Sequence, residues 1–383
     1  MKVAVVTPIP TPYRDPFWNE VARQPGIELH VFYCSAGKQD RPWEVSWSRE
    51  YYSEILPGRN LMAWRGSSAS CFWNPCIVQR LAAGKYDALV VSGYNHLTML
   101  AAMRYVVQQH VPYFLTCESH VREPRRFWRR WLKHGLVRKV ITRAAGGFPT
   151  GTLARDYLLY YGADPRKLAL IPNVPDVLGL AQSADRLQAI RGRLRREHGL
   201  ADHRVVLFAG RLIPMKRADA LICAFRDAAP EDDTRLIILG DGPETSALKE
   251  LVSRFDLQTR VQFAGFVQPV DMPQWYAMAD LFVLPSSEPW GVVVLESLAS
   301  GVPVIVTDEV GCYPDVINAP SVGTVVPIRN HEKLVDAIQR RIKEPISREA
   351  IVRAWAPVRS HFEYSTLARR MVELLQDARN YTD

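Results

Sequence analysis

The chain has 383 residues, 48% of them hydrophobic and 23% charged, which favours two ordinary domains over one core and excludes disordered, collagen-like and fibrous classes. Forty-eight lysines and arginines against 40 acidic residues leave a formal charge of +8. That surplus suits an anionic partner such as a nucleotide diphosphate, an anionic lipid or a nucleic acid, and does not choose among them.

The chain opens MKVAVVTPIPTPYRDP, an apolar run broken at Pro8. The run is too short for a signal peptide's apolar core and far short of the ~20 residues of a membrane span. A cytoplasmic location is expected, with a peripheral seat on the inner face of the membrane as its variant. Cys34, Cys71, Cys76, Cys117, Cys223 and Cys312 form no C-x2-C pair and have no histidine at metal-binding spacing, so they read as reduced thiols.

Continuously apolar runs of strand length occur at 3–6, 29–33, 88–92, 113–116, 147–149 and 168–171, separated by longer amphipathic or polar stretches. This is the pattern of a buried parallel sheet. The segment Ile171-Pro172-Asn173-Val174-Pro175-Asp176 then breaks regular structure and suits a hinge. Residues 186–196 are basic and read as a solvated helix near this boundary. A second series follows at 205–209, 236–239, 261–264, 281–284, 304–306 and 323–326. The expected fold is α/β, with doubly wound, Rossmann-like domains over 1–176 and 177–362. In 363–383 a helical stripe of Leu367, Met371, Leu374 and Leu375 is expected to close back over the first domain. Ligands of open parallel sheets lie beyond the strands' carboxyl ends, so a binding cleft is expected where those ends face each other.

Four motifs follow predicted strands. After 281–284 come Pro285-Ser286-Ser287-Glu288-Pro289-Trp290-Gly291 and a helical stretch closed by Gly301 and Pro303. Free amides of Gly291, Val292, Val293 and Val294 at the helix start would suit a phosphate. Glu288 and Glu296 can each accept two hydroxyl hydrogen bonds, as ribose and sugar diols require; taken alone they read more readily as a loop acid and a solvated helix residue. After 205–209 come Gly210 and Arg211, then Lys216. These two cations could offset a leaving diphosphate, or merely be solvated. Gly240 lies in a tight turn after 236–239. Gly265 and Phe266 follow the run at 261–264, where a flat base could lie against backbone.

In this order, the motifs closely resemble the retaining GT-B glycosyltransferases of the Glu-x7-Glu family, also called glycosyltransferase family 4 or group 1. The likeness rests on the string ADLFVLPSSEPWGVVVLESLASGVPVI, which holds Glu288 and Glu296 at that spacing, and it covers nearly all of the second domain. The resemblance implies a nucleotide-diphosphate sugar as donor substrate and no separate cofactor. Glu296 would hold the ribose, Glu288 and the amides after it the donor sugar, and Arg211 and Lys216 the diphosphate. It also implies same-face attack, in which a donor phosphate oxygen takes the acceptor's proton and no metal is needed. The chain carries no Asp-x-Asp motif after a strand to hold one.

The first domain is less similar. Pro12-Tyr13-Arg14 stands where many members have a glycine-rich loop, and Arg14 could meet acceptor or phosphate. Glu118, near His120, falls at the place of a histidine many members carry after the fourth large strand, so the carried-over catalytic role falls on Glu118 or His120. Asn173 and Asp176 resemble the family's inter-domain loop, and a hinge explains them equally well. Residues 122–133 interleave arginines with Phe127, Trp128 and Trp131. Such a helix suits an anionic membrane surface, or packs its aromatics inward. The expected partners are a nucleotide sugar and a lipid-linked or glycan acceptor, in polysaccharide biosynthesis. Nucleic acid is not among them, since no such recognition signature is present. A glycoside hydrolase would use the glutamates as acid and nucleophile but would need no phosphate-binding features. A transferase for soluble acceptors and a nucleotide-sugar epimerase of the same fold are the alternatives.

Overall fold

The computed structural model of the chain describes residues 1–37, 48–65, 70–119, 127–229 and 233–379. Contacts divide it into two units, Met1–Val174 with Tyr364–Asp383, and Pro175–Glu363.

In the first unit, β1 (Lys2–Thr7), β2 (Glu28–Tyr33) and β3 (Tyr52–Ile55) precede a two-stranded antiparallel ribbon, β4 (Arg59–Asn60) with β5 (Phe72–Trp73). Then come β6 (Ala88–Ser92), β7 (Tyr113–Cys117) and β8 (Gly146–Pro149). The main sheet is parallel, in the order β3-β2-β1-β6-β7-β8. Val3, Ala4, Val5 and Val6 are all fully buried, as a strand covered on both faces requires. β3 has no counterpart among the apolar runs. It is a polar edge strand with Tyr52 and Ile55 half exposed. The run at 168–171 is not a strand: it forms a single bridge to Gly147, and Ala169 and Ile171 donate to Gly147 and Pro149 carbonyls. Pro149 has no N–H to return, so the ladder ends there.

The second unit repeats the plan with β9 (Arg204–Ala209), β10 (Thr234–Leu239), β11 (Val261–Gly265), β12 (Leu281–Leu284), β13 (Val304–Thr307) and β14 (Gly323–Val326). These strands are parallel, in the order β11-β10-β9-β12-β13-β14. Each contains one of the predicted apolar runs.

The last helix, Tyr364–Arg379, packs on the helix Asp15–Ala22 of the first unit and buries Leu367, Met371 and Leu375. Leu374 is only half buried, and Ala368 and Val372 complete the stripe instead. Tyr364 donates its hydroxyl to the Val174 carbonyl at 3.2 Å, and Arg370 donates to that of Leu170 at 3.1 Å.

The basic stretch 186–196 is not simply solvated. It divides into the end of the helix Val177–Gln188 and the helix Arg191–Glu197, and Arg195 is 8% exposed. Arg191 and Arg195 both reach Asp280, at 2.6 and 3.1 Å, and the amide of Val205 donates to the same carboxylate at 2.8 Å. Asp280 therefore joins the entrances of β9 and β12 to the preceding helix. Burial lowers the pKa of Arg195, against the charge of Asp280. Asp280→Ala leaves these donors without their acceptor and is expected to cost about 2–3 kcal/mol. Urea unfolding checks this as a lowered midpoint with an unchanged slope.

Candidate functional site

Strand order reverses between β9 and its neighbour β12, and the loops that leave these two strands carry the cations and the first glutamate. Lys216 ends the 3-10 turn Pro214–Lys216, and its stem lies over Gly210. Its ammonium nitrogen is 2.8 Å from each carboxylate oxygen of Glu288, and the two side chains are 15% and 13% exposed. Ser286 donates its hydroxyl to Glu288 Oε1 at 2.6 Å, and the amide of Ser287 donates to the Met215 carbonyl at 2.9 Å. Backbone and side chains thus fasten the two loops together. Arg211 leaves β9 directly after Gly210 and is half buried.

The loop after β12 is also tied to the one after β13. The amide of Glu288 donates to the Glu309 carbonyl at 3.1 Å, and those of Gly311 and Cys312 donate to Glu288 and Trp290 carbonyls at 2.9 Å. A Cβ on Gly311 would stand 1.8 Å from the Pro289 carbonyl oxygen. Gly291 then turns into the helix Val292–Ala299 with φ +105° and no side-chain cap, a conformation that suits glycine. Val292 and Val293 open the helix half exposed, where its first amides lack intrahelical partners.

Glu296 lies on the same helix but has a different partner. Tyr276, fully buried on the helix Met272–Met278, donates its hydroxyl to Glu296 Oε2 at 2.8 Å. Burial raises the Glu296 pKa above its usual 4.5, and the tyrosine hydrogen bond partly opposes that rise. The structure thus brings Lys216 to Glu288 and sets Glu296 apart with Tyr276. Tyr276 and Ser286 carried no signal in the sequence, since their partners are fixed only by packing. At the ends of β10 and β11, the Gly240 amide donates to the Gly265 carbonyl at 2.7 Å, and a Cβ on Gly240 would meet the Gly210 oxygen at 1.9 Å. Phe266 follows, 41% exposed.

In the first unit, Glu118 after β7 accepts from the buried Asn173 Nδ2 at 2.7 Å. Arg14 sits against the rings of Phe17 and Trp18, 5.6 and 5.8 Å from their centroids. Burial pulls the Arg14 pKa down, and the charge of Glu118 opposes this. Asp176 caps the helix Val177–Gln188 through the Gly179 amide at 2.9 Å. His120 and residues 122–126 lie outside the described residues, and the rest of the basic, aromatic run begins the helix Phe127–Thr142. Among the described residues, no group of three or more potential metal ligands occurs, and no helix is long and apolar enough to cross a membrane.

The architecture has close counterparts among solved structures. Anabaena HepE in complex with UDP matches over 98% of this chain and 100% of its own, with TM-score 0.75 and 18% identity. Sucrose-phosphate synthase from Thermosynechococcus elongatus matches over 98% of both chains, with TM-score 0.72 and 19% identity. The fold is GT-B. Family models agree in sequence: residues 1–174 match the glycosyl transferase 4-like domain and residues 191–355 match glycosyl transferases group 1. The chain belongs to the group 1 glycosyltransferases.

Curated relatives include the GDP-mannose-dependent alpha-(1-6)-phosphatidylinositol monomannoside mannosyltransferase of Mycolicibacterium smegmatis, 31% identical over 49% of this chain and 52% of that protein. The alpha-D-kanosaminyltransferase of Streptomyces kanamyceticus is 31% identical over 45% of each. The chain thus spans about half the length of the curated relatives it matches.

Because folding raises the pKa of Glu296, the folded chain keeps this proton to higher pH than the unfolded one. Its contribution to stability falls as pH rises from the ordinary glutamate value through the raised one. Glu296→Gln is expected to flatten that fall. Melting temperatures across a pH series check it: the variant should exceed the parent near neutral pH and approach it at about pH 4.

Proposed function

We propose that the chain is a retaining, metal-independent hexosyltransferase that moves a sugar from a nucleotide-diphosphate sugar to an acceptor hydroxyl. The observation that carries this reading is the Lys216–Glu288 pair where the strand order reverses, at the start of the helix that bears Glu296. A lysine ammonium has three donors. Two directed at Glu288 leave a third for a diphosphate oxygen, and Arg211 and the helix start add further positive potential. Glu288 would accept hydroxyl bonds from the donor sugar, and Glu296, steadied on one oxygen by Tyr276, would accept the ribose.

In the proposed reaction the bond from the sugar's anomeric carbon to the diphosphate breaks. The acceptor oxygen bonds to the same face, and its proton passes to a phosphate oxygen. No protein base is then required, so a Glu118 held by Asn173 is compatible with turnover. Residues 1–176 with the returning segment 363–383 are assigned to the acceptor and 177–362 to the donor. Arg14, Asn173 and Glu118 are the acceptor-side candidates.

A lipid-linked glycan or polysaccharide precursor is the proposed acceptor, with the enzyme peripheral on the inner membrane face through residues 122–133. The names of the phosphatidylinositol monomannoside mannosyltransferase and of the alpha-monoglucosyldiacylglycerol synthase of Streptococcus pneumoniae support a lipid acceptor. The N-acetyl-alpha-D-glucosaminyl L-malate synthase of Bacillus anthracis favours the second reading, a soluble acceptor.

A panel of nucleotide sugars, beginning with the uridine series because HepE holds UDP-glucose, is expected to raise the melting temperature for the true donor. A donor at about a hundred times its Kd adds ~2.7 kcal/mol. Lys216→Ala should lower turnover at least ~tenfold, an effect of ~1.4 kcal/mol, and Glu296→Ala should weaken donor binding. Near-normal kinetics in both variants would remove the assignment. Replacing Arg125, Arg126, Arg129 and Arg130 together is expected to reduce sedimentation with phosphatidylglycerol vesicles, and unchanged sedimentation would argue for the soluble acceptor.

A further inference from the structure

The ribbon of β4 and β5 stands outside the main sheet of the first unit. Two short strands are not stable by themselves, and polar side chains hold this pair in place. Asn74, fully buried directly after β5, donates from Nδ2 to the Cys34 and Leu56 carbonyls at 3.0 and 2.9 Å and accepts the Thr98 hydroxyl on Oδ1 at 2.9 Å. The Phe72 amide donates to His96 Nδ1 at 3.2 Å. Further along, Asn60 Oδ1 accepts from the Met62 and Cys71 amides at 3.1 and 2.9 Å.

This anchored ribbon carries exposed apolar side chains. Phe72 is buried, so Trp73, its neighbour along the strand, points the other way. Trp64 is 77% exposed, and Leu61, Trp73 and Leu97 each expose more than a third of their surface. Leu97 starts the helix Leu97–Gln108, next to the His96 that holds Phe72. Isolated exposed apolar residues need no explanation, but four gathered on one ribbon and the helix start bonded to it mark a contact surface.

The surroundings indicate what it contacts. The helices Ile77–Gly84, Leu97–Gln108 and Phe127–Thr142 follow the ribbon, β6 and β7. Ile77, Leu81, Met103, Val106, Val137 and Ile141 share one core cluster, so these helices cover one face of the sheet and start at its carboxyl end. The ribbon and the helix entered by the basic run 122–133 therefore stand on the same face and at the same end. Residues 1–174 hold 23 lysines and arginines against 12 acidic residues, whereas the rest of the chain holds 25 against 28. The whole positive surplus thus belongs to the part that carries the ribbon. Such a charge repels a second copy and attracts an anionic surface. Leucines offer a sugar neither a hydrogen bond nor a ring face, but they gain by entering an acyl layer, and tryptophan suits its boundary with the head groups.

We infer that the ribbon is a membrane wedge: Leu61, Trp64 and Trp73, with Leu97 beside them, enter the boundary between head groups and acyl chains of an anionic bilayer. The inference rests on the proposed peripheral membrane seat and adds to it an apolar contact separate from residues 122–133. Burial of apolar surface resists salt, whereas attraction between exposed charges is screened. The two contacts therefore have different signatures.

Sedimentation of the full chain with equimolar phosphatidylglycerol and phosphatidylcholine vesicles, at low salt and at about 0.5 M salt, tests the wedge. The parent is expected to bind at low salt and to keep a weaker, salt-resistant part. Leu61→Ser with Trp64→Ala should lower the partition coefficient at least ~tenfold and remove the salt-resistant part, with an unchanged melting temperature. Should that pair fail to fold, Trp64→Ala alone, at the more exposed position, is expected to lower partition in the same sense. Replacing Arg125, Arg126, Arg129 and Arg130 should instead remove the salt-sensitive part and spare the other. Partition untouched by the ribbon substitutions while the arginine variant loses binding overturns the wedge and leaves the basic seat standing. A parent that binds no vesicles, or a self-association of the parent that the ribbon substitutions abolish without changing partition, overturns it as well.

Discussion

In a parallel sheet, helices from strands on either side of a reversal of order pack on opposite faces, and the loops beyond the carboxyl ends are left facing one another. β9 and β12 stand at such a reversal, and this constraint brings Lys216 to Glu288 although 72 residues separate them. Most of the candidate site depends on that meeting. The ion pair joins the two loops, the backbone bond from Ser287 to Met215 repeats the connection, and the loop after β13 supports the glutamate from its far side. A mostly buried pair of this kind contributes little net stability by itself, since desolvation offsets its attraction. It holds charge ready at a strand end, where an incoming anion can share it.

The second glutamate is governed by a different balance. Glu296 is buried enough for its charged form to be disfavoured, and one tyrosine hydroxyl steadies it. An acid in that setting gains when a ligand supplies hydroxyl donors, which fits its proposed task better than proton transfer does. Gly291 lies between the two glutamates, and its positive φ aims the helix start at the same region. Geometry, charge and backbone conformation therefore converge on one segment, with Tyr276 and Ser286 as partners drawn from elsewhere in the chain.

The same strand plan in the first unit supports a different set of side chains. There Asp15 is fully buried and accepts from Arg49 at 2.7 Å and from the Tyr33 hydroxyl at 2.8 Å, which fixes the helix that begins beside Arg14. Asn173 holds Glu118 across the end of the sheet. These groups are polar and specific, as the acceptor role proposed for this half requires.

The strands of both sheets that are covered on two faces were legible as apolar runs, because burial on both sides leaves no room for alternation. So were the Glu288 to Glu296 spacing and the closing helix. β3 was not legible, since an edge strand half open to solvent carries no apolar signature. The run at 168–171 misled because composition does not reveal that its would-be partner Pro149 lacks an amide hydrogen. Arg191 and Arg195 looked like solvated charge until Asp280 was seen to take both. By itself the sequence determined the strands buried on both faces and the residues that stand at their carboxyl ends, because both follow from local periodicity. Only the tertiary structure decided that Lys216 meets Glu288 and that Tyr276 meets Glu296. Strand order and helix packing choose those partners, and neither is written in the spacing along the chain.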